Sequence, residues 1–256
     1  MYLTAIRAVY LGVPDLDAAS KSYERLGLHL LARGRSNVIA IGGPKNLVEI
    51  RLVEDSARAG LFAIGMETAV LEGVLSACDR HQIAFTRLAE EEPSARLHLH
   101  DIGGADVILR QPTPFHVQQH NFPLRRLDHL AAITPDLDES SHIWTAVLRV
   151  PIVGEIQVAD PPMTIRQLGI GDAILELLGD PTKSGPLRQR PPGLISMASW
   201  EVDNLEAAVA LARAAGFTVS DPVAGALPGT RIATIPAEEL AGLRMQLLQY
   251  THRKAA

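Results

Sequence analysis

The chain holds a single cysteine, Cys78, few aromatic side chains, no excess of one charge and no long apolar run. One thiol permits no intramolecular disulfide and excludes a cysteine-rich zinc centre. Cys78 follows Val74 and Leu75 in a helical pattern, which predicts a small buried hydrophobe rather than a reactive thiol. Aromatics amount to 4%, with two tryptophans, so stacking surfaces for a planar ligand are scarce. Twenty-four Lys and Arg face 29 Asp and Glu, a formal net charge of −5. That balance argues against nucleic acid or a membrane surface held by bulk charge. No stretch reaches the ~18 apolar residues of a membrane helix. Met1 to Val13 lacks the charged start and apolar core of a signal peptide. These absences predict a cytoplasmic monomer or homodimer whose partner is a small molecule, with no nucleic acid and no membrane.

What is present is a repeat. At 256 residues and 47% hydrophobic the chain can bury one large core or two ordinary ones. Leu127–Asp138 reads as a strand carrying His129, then a Pro-Asp cap, then a helix. Ala8–Asp17 is a near copy, and weaker echoes run through Met66–Glu72 and Glu201–Glu206. Asp15, Thr68, Asp136 and Asp203 are the expected helix caps, with Gly27 and Gly216 as stops. Three strand-like runs follow each helix. In the third copy they are Ile152–Val158, Thr164–Gly169 and Ala173–Leu178; in the fourth, Phe217–Ser220, Arg231–Ile235 and Leu243–Leu248. A strand-helix-three-strand unit is a sheet backed by one helix, whose other face is covered only when a second copy joins it.

The expected fold class is therefore α+β: two tandem domains, each of paired βαβββ units forming curved, cleft-lining mixed sheets. Residues 1–113 would form the N-terminal domain and 125–250 the C-terminal one. The polar, proline-punctuated stretch 114–124 would link them. His116 and His120 in that region have helical metal spacing, but the neighbouring prolines favour a solvated linker.

Paired units with an inward His and Pro-Asp-Leu-Asp after it resemble the vicinal oxygen chelate superfamily, which includes glyoxalase I, bleomycin-resistance proteins, methylmalonyl-CoA epimerase and type I extradiol dioxygenases. The likeness is sharpest after residue 125, where Thr164–Leu178 is similar to the epimerase pattern and Gly193–Asp203 occupies the place of its Gly-Leu-His-His segment. The resemblance implies a cleft to which each unit offers one ligand from its first strand and one from its last. Carried over, it names His129, Glu176, Ser196 and Gln246 in the C-terminal half, with His129, Glu176 and Gln246 as metal ligands. Ser196 stands for a second His and Gln246 for a Glu, so the implied set is oxygen-rich and suits magnesium or manganese better than zinc or iron. The corresponding N-terminal places are Ala8, Arg51, Ala63 and Ile108 or Leu109, a degenerate site in which Arg51 either receives an anion or pairs with a carboxylate. His98 and His100, alternating with leucines, are expected on one face of a strand.

Glu176 lies in the apolar run Ala173–Leu178, where an unpaired carboxylate is costly unless it has work to do. His129 and Glu176 are the candidate catalytic pair; Ser196, Arg166 and Gln167 are candidate substrate contacts. Alternation allows only one of Arg166 and Gln167 to face the cleft. The resemblance then implies a lyase, isomerase or epimerase acting on a small oxygenated molecule. The alternatives are a metal-free binding or resistance protein and a ring-cleaving dioxygenase. The last departs furthest: of the two His and one Glu that hold iron in that group, only His129 remains.

Overall fold

The computed structural model describes residues 2–33, 36–43, 46–55, 57, 59–88, 93–112, 118–182 and 185–251. His116 and the middle of the expected linker lie outside the described residues. The first module is β1 (Ala5–Val13), α1 (Leu16–Arg25), β2 (Leu31–Arg33), β3 (Ser36–Ile41) and β4 (Val48–Glu54). The second is β5 (Gly60–Glu67), α2 (Leu71–Arg80), β6 (Phe85–Leu88), β7 (Ser94–Leu97), the one-turn α3 (His100–Gly103) and β8 (Asp106–Arg110). The third is β9 (Arg126–Ile133), α4 (Leu137–His142) running into a π turn over Ile143–Val147, β10 (Ile152–Ala159), β11 (Pro162–Ile170) and β12 (Ala173–Gly179). The fourth is β13 (Gly193–Glu201), α5 (Leu205–Ala214), β14 (Val223–Ala224), β15 (Thr230–Ile235) and β16 (Arg244–Tyr250).

The strands form two eight-stranded mixed sheets, ordered β2-β3-β4-β1-β5-β8-β7-β6 and β10-β11-β12-β9-β13-β16-β15-β14. Each is two modules joined through their first strands, the α+β arrangement expected from the repeat. Within a module the first and last strands pair in parallel, as β9 does with β12 and β13 with β16.

Helix starts follow the cap chemistry with two corrections. Asp15 accepts from Ala18 N at 2.9 Å, and Asp136 accepts from Asp138 N and Glu139 N. In the fourth module the cap is Asn204, which accepts from Ala207 N, while Asp203 pairs with Arg125. In the second module Val70 occupies the cap position, and Thr68 accepts from Val70 N instead. Two further expectations change. Phe217–Ser220 is not a strand: Phe217 and Val219 are buried after the helix, Ser220 alone bonds to Thr234, and the short strand β14 that pairs with β15 is Val223–Ala224. His98 and His100 do not share a strand face, because Asp106 Oδ1 captures the N–H groups of Leu99 and His100 and the chain turns into α3.

By packing, the chain divides into two compact units: Met1–Ala8, Phe62–Pro114 and His129–Ile195 in one; Val9–Leu61, Phe115–Asp128 and Ser196–Ala256 in the other. In the first unit the fully buried Trp144 donates its indole N–H to Gly103 O at 2.9 Å, and Ser140 donates to Ile102 O. In the second, the buried Tyr23 donates to Leu240 O at 3.2 Å. Cys78 is buried, and its thiol is pushed up to about 11 by that burial and by Asp79 beside it, as a packing residue should be.

Candidate functional site

The third module shows how a strand sorts its side chains. Leu168, Ile170, Leu175, Leu177, Leu130 and Ala132 are buried on the side that carries α4. The alternate residues form an inner face directed away from the helix. On it lie Gly154, Ile156 and Val158 of β10; Met163, Ile165 and Gln167 of β11; Ile174, Glu176 and Leu178 of β12; and His129, Ala131 and Ile133 of β9. Met163 and Ile165 are only partly buried and pack on Ala131, Ile133 and Leu178. The face is thus an apolar surface, buried at Ala131, Ile133 and Leu178 and partly exposed elsewhere, that carries three polar groups: Gln167, Glu176 and His129.

Gln167 and Glu176 are direct cross-strand partners. The Gln167 amide Nε2 donates to Glu176 Oε1 at 3.0 Å, while Oε2 has no hydrogen-bond partner among the described residues. On the other side, Gly154 opposes Gln167, and a Cβ there would fall 2.5 Å from Gln167 Oε1. The missing side chain leaves room for the amide that orients the carboxylate. His129 pairs in parallel register with Ile174 and Glu176 with Ala131, so His129 and Glu176 are diagonal neighbours on one face. Strand spacing and rise put their Cα atoms about 8 Å apart, within reach of one small ligand.

Arg166 points the other way. It pairs with Asp138 at 2.9 Å and Glu155 at 3.0 Å and donates to Ser141 Oγ on α4. Burial works against its charge, yet the bonds to Asp138 and Glu155 outweigh that and raise its pKa. A cleft of about 420 Å³ on this helix-bearing side is lined by Asp136, Asp138, Glu155, Arg166, Asp180 and Arg188. Their charges are spent on one another and on backbone: Asp180 accepts from Leu187 N and Arg188 N.

The fourth module corrects one expectation. Counting back equally from the caps Asp15, Val70, Asp136 and Asn204 lands on Ala8, Ala63, His129 and Met197. Met197, not Ser196, is therefore the counterpart of His129. The likeness to the Gly-Leu-His-His segment names a position one residue away, and one residue exchanges the faces of a strand. Met197 and Ser199 share a face with Gln246, whose Oε1 accepts from Ser199 Oγ at 2.8 Å. Ser196 lies on the opposite face, with Ala198 and Trp200; its hydroxyl donates to Gly242 O and accepts from Leu61 N. The register thus separates Ser196 from Gln246.

The N-terminal counterparts are filled by ion pairs. Arg51 binds Glu49, which is 1% exposed, and its guanidinium lies 5.8 Å from the Tyr10 ring centre. In the second module Arg96 binds Asp106 beside the buried Ala63 and Ile108. These faces are closed and charged rather than open and apolar, and Arg51 is the partner of a carboxylate. His120, from the expected linker, is likewise satisfied: Nδ1 accepts from His29 N at 3.0 Å and Nε2 donates to Ala40 O at 2.7 Å.

Residues 126–244 match the family described as Glyoxalase/Bleomycin resistance protein/Dioxygenase superfamily. The match lies wholly within the C-terminal half of the chain. Among solved structures, a catechol 2,3-dioxygenase is 17% identical, with a TM-score of 0.72 over 100% of this chain and 91% of the other. The Mn(II)-bound glyoxalase of Novosphingobium aromaticivorans is 13% identical, with a TM-score of 0.72 over 97% of this chain and 82% of the other. The 2,2',3-trihydroxybiphenyl 1,2-dioxygenase of Sphingomonas wittichii strain RW1 is 14% identical, with a TM-score of 0.69 over 96% and 90%. At these identities the likeness is one of fold, and it extends over both halves. Among curated proteins, none matches the chain significantly by sequence. No helix among the described residues is long and apolar enough to cross a membrane.

The donor set does not fit a tightly held metal. Among the described residues, no group of three or more His, Cys, Asp and Glu is arranged to hold an ion. Of the positions that the resemblance implies, His129 and Glu176 carry side chains that commonly ligate metal. Met197 offers a soft thioether to ions that prefer oxygen or imidazole, and the Gln246 amide brings no charge. One imidazole and one carboxylate fall short of the three protein ligands usual for a catalytic zinc.

Proposed function

We propose that residues 125–250 are the working half of an enzyme that moves a proton on a small oxygenated organic molecule, a lyase, isomerase or epimerase reaction. The observation that carries this reading is the placement of Glu176. It is a partly exposed carboxylate on an apolar face, held at one oxygen by Gln167 with the other directed to no protein partner among the described residues. A carboxylate so fixed is a general base with its geometry set in advance. His129, diagonal to it on the same face, is assigned the role of the second acid–base group. Ile156, Met163 and Ile165 supply the apolar wall. No step is assigned to a metal. Manganese or magnesium at His129, Glu176 and Gln246 is not favoured by the donor set, and chelation is expected to leave turnover unchanged.

The apolar face also supports a second reading, a metal-free binding protein. The ring-cleaving dioxygenase reading is less well supported, because Met197 and Gln246 stand at two of the three iron positions. Deuterium incorporation from heavy water into neutral carbonyl compounds with an acidic α-hydrogen separates the first two. The enzyme reading predicts exchange above the buffer rate, lowered on the order of 100-fold or more in Glu176→Gln. Bound compounds that exchange no proton would leave the binding reading in its place.

A further inference from the structure

The inner face of the third module carries a rule about charge. By strand register it is made of Gly154, Ile156 and Val158, Met163, Ile165 and Gln167, Ile174, Glu176 and Leu178, and His129, Ala131 and Ile133. None of these is Lys or Arg. The cation that sequence places beside them, Arg166, is turned to the helix side and neutralised by Asp138 and Glu155. The Gln167 amide donor is already committed to Glu176. A ligand entering this face therefore meets an apolar wall and the outward oxygen of a carboxylate, with no cation among these third-module residues to receive an anion.

We infer that this face selects a small apolar molecule presenting a hydrogen-bond donor or positive group toward Glu176, and that it rejects carboxylates and other anions. The inference rests on the inner face being the ligand site as proposed above, and it adds the substrate class. Its physical basis is asymmetry. An anion placed against Glu176 meets like-charge repulsion strengthened by the apolar surroundings, whereas a hydroxyl or ammonium gains a charge-assisted hydrogen bond. An Arg on the same face would have reversed the preference.

Three probes of one shape test this: benzoate, benzyl alcohol and benzylamine, titrated into the 256-residue chain and followed by NMR chemical-shift changes. The expected order of affinity is benzylamine and benzyl alcohol ahead of benzoate, with benzoate weaker by about tenfold or more. Shifts should fall on β11 and β12. Glu176→Gln should remove the penalty on benzoate and weaken benzylamine, while Arg166→Gln should leave the order intact. Benzoate binding as well as benzyl alcohol, a penalty that survives Glu176→Gln, or no shifts on this face with any probe would each overturn the inference. A charge order that holds in a protein catalysing no proton exchange would overturn the enzyme reading alone.

Discussion

At the residue scale, side chains of similar appearance have opposite employment. Arg166 and Gln167 are neighbours in sequence, yet one braces α4 through Asp138 and the other orients Glu176. His120 shows the bracing role in a titratable group. It lies between His29 N and Ala40 O, and its pKa is lowered from 6.5, chiefly by burial, with the bond to Ala40 opposing and His29 adding to the shift. The unfolded chain thus takes up a proton at this site before the folded one does. The contribution is fully present above about pH 6.5 and is lost as pH falls toward the lowered value. Urea midpoints at about pH 7.5 and about pH 5 should fall farther for the native chain than for His120→Gln. Equal slopes in the two proteins would show that His120 does not contribute to the acid sensitivity.

At the scale of elements, register decides what a side chain can do. β11 and β12 pair without a bulge from Thr164 to Ala173, which keeps Gln167 opposite Glu176. β10 slips between Ile152 and Gly154, and the strand resumes with Gly154 opposite Gln167. Gly154 is needed for space. Its replacement by Ala should push the Gln167 amide away from Glu176 and slow proton exchange by about tenfold, with stability changing by less than about 1 kcal/mol. Because the effect runs through Gln167, the double variant Gly154→Ala, Gln167→Ala should be no slower than Gln167→Ala alone. Additive losses in that cycle would mean that Gly154 acts by another route.

At the scale of the whole molecule, four copies of one module have diverged on the same face. The first two fill it with Glu49–Arg51 and Arg96–Asp106; the third leaves it accessible around Glu176. This predicts opposite responses to loss of a charge. Arg96→Met would leave Asp106, 7% exposed, with only backbone donors from Leu99 and His100, and should cost roughly 3 kcal/mol in denaturant unfolding. Glu176→Gln should cost less than about 1 kcal/mol, since the amide replaces a partly solvated group. A large loss in Glu176→Gln would recast Glu176 as a structural residue.

The modular plan was legible in the amino-acid order because it rests on local rules. A capping Asp before an amphipathic run and alternation in strands are written within a dozen residues of each other, and Asp15, Asp136 and the runs of the third module all read correctly. That Glu176 stands on a strand of otherwise apolar residues was legible for the same reason. What failed was a matter of one residue. Asp203 and Asn204 are both good caps, and nothing local says which the helix uses; the likeness to Gly-Leu-His-His names Ser196, one residue from the Met197 that an equal count from the cap reaches. Which of Arg166 and Gln167 faces inward was equally undetermined, because alternation fixes parity but not sign. Contacts distant in the chain settled both: the parallel pairing of β13 with β16 put Met197 opposite Arg244 and Ser199 opposite Gln246 on one face, and the packing of α4 on β11 drew Arg166 to its side. Sequence alone fixed the period of each strand; the tertiary structure chose its phase, since only the partner strand and the covering helix distinguish one face of a sheet from the other.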